Sequence, residues 1–194
     1  QGSLYTFLNK IAKRFPKKQL CTLAYLHTYN PPINLKIASN ITTLFCPIEM
    51  DRGNPISLKN NNKPVANALA RWQSASKNLF VWDYTVQFAN YMSPFPNLSY
   101  FEENYTTFKA NNVKGLFVQG YADVPGDFSE LRQYLLAKLL WDASIDVKAT
   151  TADFLRGFYG KAASEIENYL KLLSENQKKS KAYLDIYSGP VQNR

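Results

Sequence analysis

The stretch LFVWDYTVQF, residues 79–88, contains an apolar run that predicts a buried β-strand, yet it carries an aspartate between two aromatic side chains. Three further runs have the same apolar character, at residues 20–25, 40–47 and 113–120. Each is mostly hydrophobic along its length and does not alternate with polar residues, which is typical of parallel strands buried on both faces. The four runs therefore predict a parallel sheet.

Helical segments separate and follow these strands. Apolar residues recur at helical spacing over residues 4–15, 65–72, 98–111, 128–140, 151–159 and 161–178. Ser3 is a possible cap of the first helix, Pro16 ends it, and Asp127 with Glu130 forms a capping-box pattern before the fourth. Strands that alternate with helices indicate an α/β fold.

The number of strands suggests part of a larger architecture. A (β/α)8 barrel of the TIM type has eight strands, so four would make half of one. We therefore expect residues 1–142 to form the second half of such a barrel and residues 143–194 to form a helical segment after it. A first residue of Gln1 instead of Met suggests a piece of a longer protein.

Composition limits the classes of partner. The 194 residues are 45% hydrophobic, which predicts a folded domain, and no apolar run is long enough to span a membrane. The net charge of +8 comes from scattered basic residues without zinc-finger, phosphate-loop or RNA-recognition spacing, so no nucleic-acid partner is predicted. Cys21 and Cys46 lie in strand-like runs and are interpreted as small buried hydrophobes.

Polar and aromatic residues gather where the predicted strands end, which is where α/β folds place their chemistry. The candidate substrate-binding residues are Tyr25, His27, Asp51, Trp82, Asp83, Tyr84, Gln119 and Tyr121, and Asp123 follows the last strand as a further polar group. Because His27 is the only histidine, no metal site built from several histidines is predicted. His27 could line a cleft or serve a structural role.

Each candidate has a functional and a structural interpretation. Asp83 could bond sugar hydroxyls while a neighbouring ring stacks on the sugar, or it could hold a loop. Glu49 and Asp51 could act on a substrate, or form an ion pair with Arg52. Gln119 and Tyr121 suit hydroxyl and acetamide groups, or a loop network. The later aromatics favour core packing, namely Tyr134, Trp141, Phe154, Phe158 and Tyr159.

Eight motifs in order carry a family resemblance. They are FLNKIAKRFP at 7–16, TLAYLHTYNPP at 22–32, CPIEMDRGNP at 46–55, VWDYTVQF at 81–88, SPFPNL at 93–98, GLFVQGYAD at 115–123, LRQYLLAKLLWD at 131–142 and DFLRGFYGKAA at 153–163. With them the chain resembles bacterial proteins grouped as domain of unknown function 4838, part of which forms glycoside hydrolase family 163.

The resemblance implies a secreted, periplasmic or cell-surface enzyme of Bacteroides-like bacteria. It implies a (β/α)8 catalytic barrel with endo-β-N-acetylglucosaminidase activity on complex N-glycans and no cofactor. The acid pair of a substrate-assisted mechanism would lie upstream of Gln1, with Asp83 and Glu49 as the candidates inside this chain. The chain would then supply part of the glycan-binding cleft.

Alternatives remain open at this point. A glycosidase of other specificity, for example for uronic-acid sugars, could use Arg52 to clamp a carboxylate. A non-catalytic carbohydrate-binding or interaction module could use the same aromatic residues without cleaving a bond. A half-barrel would expose sheet edges and its interior, so we expect the missing N-terminal half, or a second copy, to cover it.

Overall fold

The computed structural model describes residues 2–121 and 124–188. The helices are α1 (Gly2–Arg14), α2 (Lys63–Ala75), α3 (Phe101–Ala110), α4 (Ser129–Trp141), α5 (Val147–Tyr159) and α6 (Ala163–Ser180). The strands are β1 (Leu20–Ala24), β2 (Ile41–Phe45), β3 (Asn78–Tyr84) and β4 (Gly115–Gln119). Short 3-10 turns occupy Leu26–Thr28, Leu98–Tyr100 and Gly160–Ala162. Among the described residues no helix is both long and apolar enough to cross a bilayer.

The four strands form one sheet in the order β1-β2-β3-β4. β1 pairs with β2 and β2 with β3 in parallel, and Thr22 lies opposite Thr43, which lies opposite Leu79. The order along the sheet is the order along the chain. α2 lies between β2 and β3 and α3 lies between β3 and β4, whereas only a 3-10 turn is described between β1 and β2. The predicted α/β class with a parallel sheet is therefore confirmed.

Contacts divide the chain into two compact units. Unit 1 contains Gln1–Ile48, Ile56–Asp83 and Thr107–Val118, and unit 2 contains Glu49–Pro55, Tyr84–Thr106 and Gln119–Arg194. Unit 1 holds nearly all of the sheet, and unit 2 holds the segments that follow the ends of β3 and β4 together with the last three helices. The predicted domain boundary after residue 142 stays a prediction.

Two helices cover one face of the sheet in unit 1. The Tyr5 hydroxyl of α1 lies 3.1 Å from the Thr43 hydroxyl of β2, and the Tyr5 ring lies 5.7 Å from the ring of Trp72 in α2. Trp72 is fully buried, and its indole N–H donates to the Tyr29 carbonyl at 2.7 Å. The covered face therefore carries alternate residues of the central strands, which include Leu79 and Val81.

The opposite face, which we call the open face, carries the other alternate residues. Leu23 is 43% exposed and Phe117 is 51% exposed. The Phe117 ring contacts Trp82 edge-on at 4.6 Å. Among the described residues, the helices seen in contact with the sheet lie on one side, so the described part of the chain does not bury both faces as predicted. Cys21, on the open face, is exposed against prediction, whereas Cys46 is buried.

Unit 2 is built around its last three helices. The leucines Leu131, Leu135 and Leu139 recur every four residues along α4 and are buried. Trp141, two residues beyond this row, points to the other side of α4 and is 92% exposed. Core packing is therefore the wrong prediction for Trp141, and also for the exposed Phe158.

Two helix starts differ from prediction. Ser3 lies inside α1 and is not its cap. α5 begins four residues earlier than expected, because the Asp146 carboxylate accepts a hydrogen bond from the Ala149 backbone N–H and so caps the helix at Val147.

Two of the three tryptophans provide a test of the unit 1 core. Trp72→Phe removes the indole donor to the part-buried Tyr29 carbonyl and takes volume from a fully buried site, so we expect a loss of about 1–3 kcal/mol in the free energy of unfolding. Trp141→Phe changes an exposed side chain and should cost less than about 0.5 kcal/mol. Urea unfolding of both variants measures the difference, and equal losses would contradict the packing described for α2.

Candidate functional site

The ends of β3 and β4 are joined within unit 2. The backbone N–H of Thr85, the residue after β3, donates to the Gln119 carbonyl of β4 at 3.1 Å. The Thr85 hydroxyl donates to the same carbonyl, also at 3.1 Å. These bonds hold two predicted site residues, Tyr84 and Gln119, at the joined strand ends.

The buried guanidinium of Arg132 fixes the loops around this edge. Its Nε donates to the Asp127 carbonyl at 2.7 Å, and Nη2 donates to the Asp127 carboxylate at 2.7 Å and to the Phe95 carbonyl at 2.5 Å. Nη1 donates to the Asn97 side chain and, at 3.4 Å, to the Thr85 carbonyl. The side chains of Arg132 and Asp127 are only 2% and 9% exposed. We call this set of bonds the arginine hub.

The predicted capping box at the start of α4 is wrong. Asp127 directs its carboxylate to Arg132, and Phe128, not Asp127, is the residue before the helix. Glu130 accepts a bond from the neighbouring Ser129 hydroxyl instead of reaching back across the helix end. Phe128 has φ 48° and ψ 42°, a left-handed conformation that is unusual for a bulky side chain. The sharp turn lets Arg132 reach the carbonyl and carboxylate of Asp127.

Four aromatic side chains cluster beyond the two strand ends. The ring of Tyr91 lies 5.1 Å from Tyr121 and 6.3 Å from Phe88, which lies 6.1 Å from the exposed Tyr187. A Cβ atom at Gly126 would lie 2.3 Å from the Tyr121 ring, so only glycine permits this approach. We call these four residues the aromatic cluster. Such rings can stack on the apolar face of a sugar.

Burial raises the pKa of the Tyr121 phenol above its ordinary value of 10.0. Nearby Arg132 opposes that pKa shift, and the Asp127 charge adds to it. The Tyr121 hydroxyl donates to the Asp127 carbonyl at 3.4 Å. Tyr121 is therefore a neutral hydrogen-bonding group at neutral pH, linked directly to the arginine hub.

Asp51 is fully buried and is held by protein donors. Its carboxylate accepts bonds from the backbone N–H of Gly53 at 2.9 Å and of Leu184 at 3.0 Å, and from the Asn54 amide at 2.8 Å. These contacts tie its loop to the segment after α6. Sugar binding by Asp51 stays a prediction, while the observed role is structural.

Glu49 and Arg52 have different environments in unit 2. Glu49 is exposed, and its carbonyl accepts a bond from the Tyr183 hydroxyl. Arg52 is buried, lies 5.6 Å from the centre of the Tyr84 ring and donates to the Met50 sulfur at 3.2 Å. A catalytic role for Glu49 stays a prediction.

Alternation along β3 separates Asp83 from its aromatic neighbours. Asp83 is 4% exposed and has the parity of Leu79 and Val81, the residues of the helix-covered face. Trp82 has the opposite parity and contacts Phe117 on the open face. A sugar contact by Asp83 stays a prediction, and Trp82 lies on the open face together with Phe80.

The remaining candidates lie in unit 1 or beyond the description. Tyr25 is half-buried and its backbone N–H donates to the Thr28 hydroxyl at 3.0 Å, at the start of a 3-10 turn that carries the exposed His27. Asp123 lies outside the described residues. Within residues 2–121 and 124–188, no group of three or more His, Cys, Asp or Glu side chains is placed to hold a metal ion.

A family model for a domain of unknown function, DUF4838, matches residues 1–171. The chain belongs to this family. No curated protein and no solved structure matches it. For this DUF4838 member, the match covers the whole sheet, the arginine hub and the start of α6.

Sequence reasoning missed Arg132, Asn97 and Tyr91. The available signal was weak: Arg132 is a charged residue inside the leucine-rich segment LRQYLL, beside the buried leucine row of α4. A buried charged residue needs a partner, but its partners lie up to 47 positions away in sequence.

The arginine hub predicts a large stability difference between two arginines. Arg132→Met leaves the Asp127 carboxylate buried without its partner, so we expect a loss of about 3–5 kcal/mol in the free energy of unfolding. Arg156→Met removes an exposed pair with Asp153 and should cost less than about 1 kcal/mol. Urea unfolding compares the two, and a small effect at Arg132 would show that the hub does not hold the loops.

The pKa shift of Tyr121 predicts a change of stability in alkali. The unfolded chain releases this proton near pH 10 and the folded chain only at higher pH. The stability that neutral Tyr121 contributes is therefore complete below pH 10 and is lost as the pH rises further. The difference in phenolate absorbance between the wild type and Tyr121→Phe should titrate above pH 10 when folded and near 10 in urea. Identical titrations in the two states would contradict the burial.

Proposed function

We propose that this chain is the second half of a (β/α)8 barrel in a glycoside hydrolase. The single observation that carries the barrel is the sequential order of four parallel strands. When each strand is added on the same side of the previous one through a right-handed crossover, all connecting helices lie on one face of the sheet. In a doubly wound sheet the direction of strand addition reverses, and helices lie on both faces. The contacts of Tyr5 with Thr43 and Trp72 support helices on one face.

The open face supports the proposed partner. Parallel sheets are found with both faces covered, yet Leu23 and Phe117 are about half exposed. Four further strands would convert this face into a barrel interior. We therefore propose that the other half of the same protein, upstream of Gln1, covers the open face. A second copy of the chain is the alternative occupant.

The aromatic side chains support a sugar as substrate. Trp82 and Phe117 lie on the open face of unit 1, and unit 2 carries the aromatic cluster together with the amide of Gln119. Rings and amide or phenol groups suit the apolar faces, hydroxyls and acetamide groups of N-acetylglucosamine. With the family resemblance, they favour endo-β-N-acetylglucosaminidase activity on complex N-glycans, in a secreted or cell-surface enzyme.

The proposed chemistry is substrate-assisted. The acetamido carbonyl oxygen of the substrate attacks the anomeric carbon as the glycosidic C–O bond breaks, one carboxylate orients the acetamide, and a protonated carboxylic acid gives its proton to the leaving oxygen. Water then opens the cyclic intermediate and returns the proton to the acid. We assign the acid pair to the upstream half. Asp83 and Glu49 are the candidates within this chain.

The alternatives have less support. A clamp on a uronic-acid carboxylate would use Arg52, but Arg52 is buried beside Tyr84 and Met50. A carbohydrate-binding module without catalysis would use the same aromatic side chains. That possibility is an outcome of the following test.

The test compares the longer protein with the 194-residue chain on a complex-type N-glycoprotein, with released glycans identified by mass spectrometry. We expect release by the longer protein and none by the chain alone. In the longer protein, Trp82→Ala should lower kcat/KM at least about tenfold, since one stacked ring contributes roughly 1–3 kcal/mol. Trp141→Ala should stay within about twofold, because Trp141 is exposed on α4.

Thermal unfolding of each variant controls for loss of folding. A longer protein that folds and binds the glycan without releasing it would favour the binding module. Release of uronic acids would favour the other specificity. Equal effects of the Trp82 and Trp141 substitutions on kcat/KM would show that Trp82 does not contact the substrate.

A further inference from the structure

Unit 2 contains a cavity of about 390 Å³ between the segment before α3 and the helices α5 and α6. Its volume lies in the range of roughly 300–1,000 Å³ that is usual for small-molecule sites. Most of its wall is apolar, from Phe95, Pro96, Leu98, Val147, Leu170 and Leu173. The cavity is therefore large enough for a ligand with an apolar body.

The ionisable side chains around the cavity cancel in formal charge. Three are acidic and three are basic, namely Glu102, Asp127, Glu167, Arg132, Lys148 and Lys171. The chain as a whole has a net charge of +8, so this balance is local to the cavity. A neutral lining gives no general attraction for a charged ligand.

The hydrogen-bonding groups at the cavity wall further limit the chemical class of ligand that could bind. Arg132 has five N–H donors, and the arginine hub directs all of them to protein oxygens. A ligand carboxylate or phosphate would therefore find no donor on this guanidinium. The two bonds that the Asp127 carboxylate accepts from described residues, from Arg132 and from the Phe95 N–H, both end on Oδ2. Among the described residues no bond ends on Oδ1, so this oxygen is the candidate acceptor for a ligand donor.

We propose that this cavity binds an uncharged, largely apolar molecule that carries a hydroxyl group, with the hydroxyl donating to Oδ1 of Asp127. A free sugar fits less well, because the exposed wall area is mostly apolar and would leave several of its hydroxyls without partners. The Thr151 hydroxyl at the wall already donates to the Val147 carbonyl at 2.7 Å. This proposal does not depend on the proposed glycan function.

The probe is 2-naphthol, an uncharged aromatic alcohol at pH 7, titrated calorimetrically into the full 194-residue chain. We expect saturable binding with one site per chain. 2-Methoxynaphthalene has the same rings but no hydroxyl donor, so it should bind at least about tenfold more weakly, as expected for loss of one hydrogen bond to a charged acceptor.

Matched substitutions on α6 locate the binding. Leu170→Trp fills the cavity and should weaken 2-naphthol binding at least about tenfold. Leu172→Trp makes the same change at an exposed position outside the cavity lining and should change binding less than about twofold. If Leu170→Trp fails to fold by circular dichroism, Ser174→Leu replaces it with the same expectation.

Three results would overturn the proposal. Equal affinity for the two naphthalene probes would show that the ligand hydroxyl makes no hydrogen bond to Asp127. Undiminished binding by a folded cavity-filling variant would show that 2-naphthol binds outside this cavity. Binding of free N-acetylglucosamine that Leu170→Trp abolishes would make the cavity a sugar site. Loss of glycan release by the longer protein leaves all three measurements unchanged, so failure of the glycosidase proposal is distinguishable.

Discussion

The buried contact between Arg132 and Asp127 is the constraint on which the candidate site in unit 2 depends. Removing two ions from water is costly, and the cost is offset only when geometry is good and the remaining donors are satisfied. Here the guanidinium donates to carbonyl and side-chain oxygens from the end of β3, from the following loop and from the loop after β4. One side chain thereby sets the positions of three chain segments, and through Asp127 it also reaches Tyr121.

How far the sequence predicts this structure depends on the range of the interactions involved. The four parallel strands follow from short apolar runs spaced by helices, and the structure has them in chain order. The sequence did not predict correctly that one sheet face is exposed among the described residues. An apolar run indicates that its side chains avoid water, but it does not indicate which segment covers them. The same limit explains Trp141, where helical spacing alone could not separate a core aromatic from one beyond the buried leucine row.

The site was predicted less well than the fold, because its decisive contacts are between residues far apart in sequence. The pattern of Asp127 and Glu130 matches a capping box, but a long-range arginine competes for the carboxylate and binds it. In β3 the strand position of Asp83 was predicted and its face was not. Which face each β3 side chain points to is known only when the contacts of one of its residues are known. The contact of Trp82 with Phe117 places Trp82 on the open face and therefore Asp83 on the other.

The two free cysteines give the sheet a built-in chemical reporter. Cys21 lies on the open face of the edge strand and is exposed, whereas Cys46 is buried after β2. A thiol reagent should therefore modify the first position of the isolated chain and spare the second while the protein is folded. A partner that covers the open face would shield Cys21 from the reagent. The rate at which Cys21 is modified therefore measures whether this face is covered.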